Sequence, residues 1–85
     1  METNFRIVIS SDLEYEELCA EIYYGEQFVA ILLQENGVEN MEIEIHPPSN
    51  NEVWMFRFSE FLAILEKAQS TLKEMHKLSE PNTEE

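Results

Sequence analysis

The sequence predicts an α+β fold: a four-stranded antiparallel β-meander covered on one face by a single C-terminal amphipathic helix. Three observations carry that expectation. The stretch from Leu18 to Gln34 (LCAEIYYGEQFVAILLQ) reads as two strands folded back on each other about Gly25. Met41, Ile43 and Ile45 alternate with Glu42, Glu44 and His46, the pattern of a half-buried strand whose successive side chains point to opposite faces. Phe61, Leu65, Ala68, Leu72 and Met75 recur at spacings of three and four, with Leu62 and Ile64 widening the stripe, as on an amphipathic helix.

Taken in order, Phe5–Ser10 (FRIVIS) reads as a first strand with Phe5, Ile7 and Ile9 on one face. Ser11 followed by Glu14 matches a capping box, which can start a helical turn. Residues 15–24 admit two readings. Tyr15, Leu18, Cys19 and Ile22 have helical spacing, but Ile22, Tyr23 and Tyr24 are better strand formers than helix formers. A loop or single turn over residues 11–16 followed by a strand is favoured. Gly25 supplies the positive φ that a tight hairpin turn requires. Phe28–Leu33 runs without a charge, as in a central strand buried on at least one face.

Asn36-Gly37 is a second turn signal, and Pro47 to Asn51 make an exposed loop that ends the Met41–Ile45 strand. Val53–Phe58 (VWMFRF), heavy in aromatics, reads as the last strand before the helix. Ser59 suits an N-cap, Glu60 the positive end of the helix dipole, and Lys73 and Lys77 its negative end. Pro81 cannot continue a helix, so residues 1–80 form a single domain and 81–85 a frayed acidic tail. One helix covers one face of a sheet. The other face is expected to be open, carrying Glu42 and Glu44 together with Glu21 or its hairpin neighbours.

A chain of 85 residues has room for one core, and it buries only roughly 60–65% of the surface its unfolded form exposes. A large enclosed cavity is not expected at that size. The net charge of −13, from 18 acids against five bases, is the unusual quantity. No Lys or Arg occurs between Ile7 and Phe56, where Asp12, Glu14, Glu16, Glu17, Glu21, Glu26, Glu35, Glu39, Glu42, Glu44 and Glu52 all fall. Such a field repels nucleic acid and anionic membranes and attracts basic surfaces. Direct DNA or RNA binding is excluded on the same ground, because phosphate contacts need Lys and Arg. The lone Cys19 cannot form an intramolecular disulfide and reads as a small buried hydrophobe. METNFRIVIS lacks the basic and long apolar regions of a signal peptide, and Phe28–Leu33 is too short to span a bilayer; a cytoplasmic location is expected.

No enzyme chemistry is legible. Glu42 and Glu44 lie roughly 7 Å apart on one strand face, a spacing that could serve paired-carboxylate catalysis, but nothing suggests a cleft to desolvate them. His46 and His76 are isolated from each other and from Cys19, no zinc-type spacing exists, and the acidic runs lack the pattern of a calcium loop. Neither a catalytic residue nor a metal or cofactor site is expected. Binding is the better reading. Asp12, Glu14, Glu16 and Glu17 crowd one connection, which suits either a solvated face or a patch for a basic protein. Tyr15 and Tyr23 sit among acids, and Tyr is a common interface anchor, whereas Tyr24 and Trp54 suit core packing. The candidate partner-binding set is therefore Asp12, Glu14, Tyr15, Glu16, Glu17, Glu21, Tyr23, Glu42 and Glu44. Self-association, or addition of a partner strand, at an exposed sheet edge is a further expectation.

The run IVISSDLEYEELCAEIYYGEQFVAILLQENGVENMEIEI, Ile7 to Ile45, resembles small bacterial proteins related to contact-dependent growth inhibition immunity proteins. The elements that carry the resemblance are Ser10-Ser11-Asp12-Leu13, Tyr15-Glu16, Ala20-Glu21-Ile22-Tyr23, Gly25, Phe28-Val29-Ala30, Gln34-Glu35 and the closing amphipathic helix. It departs from the pattern at Tyr24-Gly25, where an Asp-Gly or Asn-Gly turn would be usual. The resemblance implies a cytoplasmic immunity protein that binds and blocks a toxin, often a nuclease, and it assigns no contact residue. An acidic module that mimics nucleic acid and binds a DNA- or RNA-binding protein is the alternative the charge allows.

Overall fold

A computed structural model describes residues 4–11, 16–50 and 52–79, with side chains described as far as residue 75. Its elements are β1 (Phe5–Ser10), β2 (Cys19–Tyr24), β3 (Gln27–Leu33), a 3-10 turn (Val38–Asn40), β4 (Glu42–Ile45) and α1 (Phe58–Ser79). The strands lie side by side in the order β1-β2-β3-β4, each antiparallel to its neighbour. The expected α+β meander with one C-terminal helix is what forms. Residues 19–24 are strand, not helix. Of the Ser11–Glu14 capping box, Glu14 lies outside the described residues, as does the tail from Pro81.

Register explains the core. Phe5, Ile7 and Ile9 of β1 face Tyr24, Ile22 and Ala20 of β2. Ala20 and Ile22 in turn face Leu32 and Ala30 of β3, which face Ile43 and Ile45 of β4. These residues therefore share one side of the sheet, and α1 lays Ile64, Ala68 and Leu72 against it. A bulge opposite Ile22 and Tyr23 inserts Val29 beside Ala30, and both are fully buried. At the β2–β3 turn Gly25 has φ 62°, and its N–H donates to the Asn4 carbonyl at 2.9 Å, tying the hairpin to the start of β1.

Three expectations need correction. First, Val53–Phe58 is not a strand; counting it would have given five. Residues 52–57 form an irregular strap that pairs with no strand, and Phe58 already belongs to α1. The alternation is real, since Val53 and Met55 are exposed while Trp54 and Phe56 are turned inward. Trp54 Nε1 donates to the His46 carbonyl at 2.6 Å, and the Phe56 ring lies 4.8 Å from Phe5 and 5.1 Å from Tyr24. The strap thus runs from the end of β4 to the β1–β2 side, and its side chains, not its backbone, make the contacts.

Second, Ser59 is not the N-cap. The N–H groups of Glu60 and Phe61 both donate to the Arg57 carbonyl at 3.1 Å, which places the cap at Arg57 and Ser59 within the first turn.

Third, β4 does not bury its apolar side. Met41 is half-buried, but Ile43 and Ile45 are 39% and 57% exposed. A helix is about 10–12 Å across, whereas strands lie about 4.8 Å apart, so one helix covers roughly two strands. Here α1 is seated over β1 and β2.

Candidate functional site

The side of the sheet away from α1 carries the acids singled out from the sequence. Register places Val8, Glu21, Ile31 and Glu44 in one row across it, with Glu42 beside Leu33 on the same face. Arg6, Tyr23 and Phe28 form the adjacent row. The side chains of these rows engage one another. Tyr23 OH donates to Glu21 Oε1 and Ser10 Oγ donates to Glu21 Oε2, each at 3.0 Å. The Arg6 guanidinium sits 4.6 Å above the Tyr23 ring, a cation–π geometry. Tyr23, Phe28 and His46 are in ring contact at 5.6 and 4.9 Å, and His46 Nε2 lies 3.2 Å from Glu44 Oε2.

Glu21 and Tyr23 are accordingly neighbours that hold each other, half-buried, and Glu42 and Glu44 are the exposed carboxylates of this face. Glu16 and Glu17 are exposed at the approach to β2, where their N–H groups donate to the two Glu35 carboxylate oxygens at 3.1 and 2.9 Å. Asp12, Glu14 and Tyr15 lie outside the described residues. Sequence reasoning missed Glu35 as the group that fastens this loop. It also missed Arg6, Phe28 and His46 as partners of the acidic face, because only register brings them there.

The phenol of Tyr23 is held above its ordinary pKa of 10.0, chiefly by its hydrogen bond to Glu21, then by burial and by the charge of Glu21, with Arg6 opposing. The folded-state pKa is raised, so the bond's contribution is complete below the unfolded value near 10 and is lost as pH rises through the folded value. Tyr23→Phe should lower stability at neutral pH by about 0.5–1.5 kcal/mol. It should also remove the part of the alkaline loss that begins near pH 10. Urea unfolding across that range checks both; an unchanged alkaline slope would show that Glu21 does not hold the phenol.

The second surface is apolar and was not anticipated. Because α1 leaves β4 bare, two clefts lie between them. One, of about 310 Å³, is walled by Ile45, Trp54, Phe58 and Phe61. The other, of about 300 Å³, is walled by Met41, Ile43, Leu62 and Leu65, with Glu66 the one charged side chain lining either cleft. Phe58 is 77% exposed, an unusual state for so large an apolar side chain at the start of a helix.

Among the described residues no cluster of His, Cys, Asp or Glu could hold a metal ion, and no helix is long and apolar enough to cross a membrane. Cys19 is buried, with its thiol 3.6 Å from Ser10 Oγ. Among the same residues one Lys or Arg approaches a carboxylate, Arg57 Nε to Glu60 Oε2 at 3.9 Å. Fold and surfaces together define a small α+β protein with an acidic sheet face and an apolar edge. No family model, curated protein or solved structure matches the chain.

Proposed function

We propose that this is a non-catalytic binding protein for a basic protein, and specifically an immunity or inhibitor protein that occludes the basic active surface of a toxin, a nuclease in the first instance. The observation that supports it is the state of the carboxylates. Glu16, Glu17, Glu26, Glu35, Glu39, Glu42, Glu44 and Glu52 are exposed, and no Lys or Arg side chain among the described residues neutralises them. A negative surface of this extent speeds encounter with a positive one and disfavours wrong partners. A nuclease needs Lys and Arg to hold phosphate, so an acidic protein can cover its substrate-binding surface without chemistry. The resemblance of Ile7–Ile45 to immunity proteins supports the finer reading.

The test is direct. The product of the reading frame adjacent to this protein's own is purified and its association measured in rising salt. The on-rate should fall by about tenfold or more between roughly 50 and 200 mM salt, with loss of the partner's activity on binding. A salt-independent on-rate, or binding that leaves that activity intact, would overturn the proposal.

A further inference from the structure

We propose that β4 is a strand-addition site for an extended partner segment in which apolar residues alternate with Lys or Arg. The inference rests on the basic-partner reading and gives it a location and a mode. β4 is an edge strand, paired on one side with β3 alone. The His46 N–H donates to the Val29 carbonyl of β3 at 2.8 Å. In an antiparallel ladder the hydrogen-bonding direction alternates along a strand, so the N–H and C=O groups of Ile43 and Ile45 point away from β3. They form a short open ladder, ready for another backbone.

The side chains on the two faces of β4 specify what that backbone must carry. On the α1 side, Ile43 and Ile45 stand exposed above the two apolar clefts, with Phe58 and Leu62 exposed across from them. An added strand would lie about 4.8 Å beyond β4 and direct every second side chain to this side. On the other side Glu42 and Glu44 are exposed and face no Lys or Arg. The intervening side chains of the added strand would stand directly opposite these carboxylates. Opposite charges at such cross-strand positions are favourable and like charges unfavourable.

The same arrangement disfavours a second copy. An antiparallel copy of Glu42-Ile43-Glu44-Ile45 that matched isoleucine to isoleucine would set glutamate against glutamate between two chains of net charge −13. Glutamates on a four-residue edge strand are a known guard against indiscriminate pairing. Here they exclude neutral and acidic strands and admit a basic one.

Three blocked octapeptides test this on the full chain: alternating Lys and Val, the same composition as a Lys block followed by a Val block, and alternating Glu and Val. Amide exchange and chemical shifts are followed by NMR up to about millimolar peptide, the range of weak single-strand docking. The alternating Lys peptide should slow exchange at the Ile43 and Ile45 amides and shift the Trp54 indole. The block isomer should bind at least about tenfold more weakly, and the Glu peptide should leave both amides unprotected. In the double variant E42K/E44K the preference should pass to the alternating Glu peptide. Equal binding of both Lys peptides without protection at Ile43 and Ile45 overturns strand addition and leaves the basic-partner reading standing. Failure of both Lys peptides to perturb any resonance overturns that reading as well. Concentration-dependent protection of the two amides without peptide would make a second copy the occupant and overturn the proposal.

Discussion

Ile22→Ala should lower the free energy of unfolding by about 2–4 kcal/mol, within the usual range for truncating a buried aliphatic side chain. Ile22 has no exposed surface and lies between Ile7 of β1 and Ala30 of β3, in the cluster that includes Ile64, Ala68 and Leu72 of α1. β2 is held by backbone ladders on both sides, so the site cannot readily collapse to fill the space. At about 0.05–0.15 kcal/mol per residue a chain this size has a total stability of roughly 4–13 kcal/mol. The substitution therefore removes about a quarter to a half of a mid-range value. Ile22→Val, which takes one methyl group, should cost only about 0.5–1.5 kcal/mol. Ile43→Ala is the internal comparison. Ile43 shares the α1 side of the sheet but is 39% exposed on β4, and its loss should cost less than about 1 kcal/mol. Equal losses at Ile22 and Ile43 in urea unfolding would mean that α1 covers β4 after all.

That contrast also shows which parts of the molecule were legible in the sequence. Periodicity announces which side chains share a face, and it did so for β1, β2, β4 and α1. It does not announce how far the covering layer extends. Ile43 and Ile45 have the pattern of buried residues, but the helix that would bury them is seated two strands away. The apolar groove was invisible for that reason alone. The acidic face was half legible. Glu42 and Glu44 are where alternation puts them, whereas Glu21 accepts hydrogen bonds from Ser10, which only the β1–β2 pairing brings near, and from Tyr23. The charge count is the same in both descriptions. What differs is which carboxylates remain free for a partner.

Phe56→Ala should cost about 2–4 kcal/mol, shifted about 1 kcal/mol down from the range for fully buried phenylalanines because this ring is only half-buried. Its neighbour Met55, 87% exposed, should tolerate Ala within about 0.5 kcal/mol. The difference follows from the role of the strap. Phe56 stacks on Trp54 at 5.1 Å and on Phe61 at 5.3 Å, and meets Phe5 edge-on at 4.8 Å. It therefore joins the strap, the start of α1 and the first strand in one aromatic cluster. A real strand would be anchored by its ladder and would survive loss of one ring with less harm. The strap has no ladder, so its position depends on these rings and on the Trp54 bond to His46. Trp54 emission under native conditions should shift to the red in Phe56→Ala as the indole loses its cover. If the variant kept the parent's stability and emission, the strap would be a mere connector, and the wall that Trp54 gives the groove would have no fixed place.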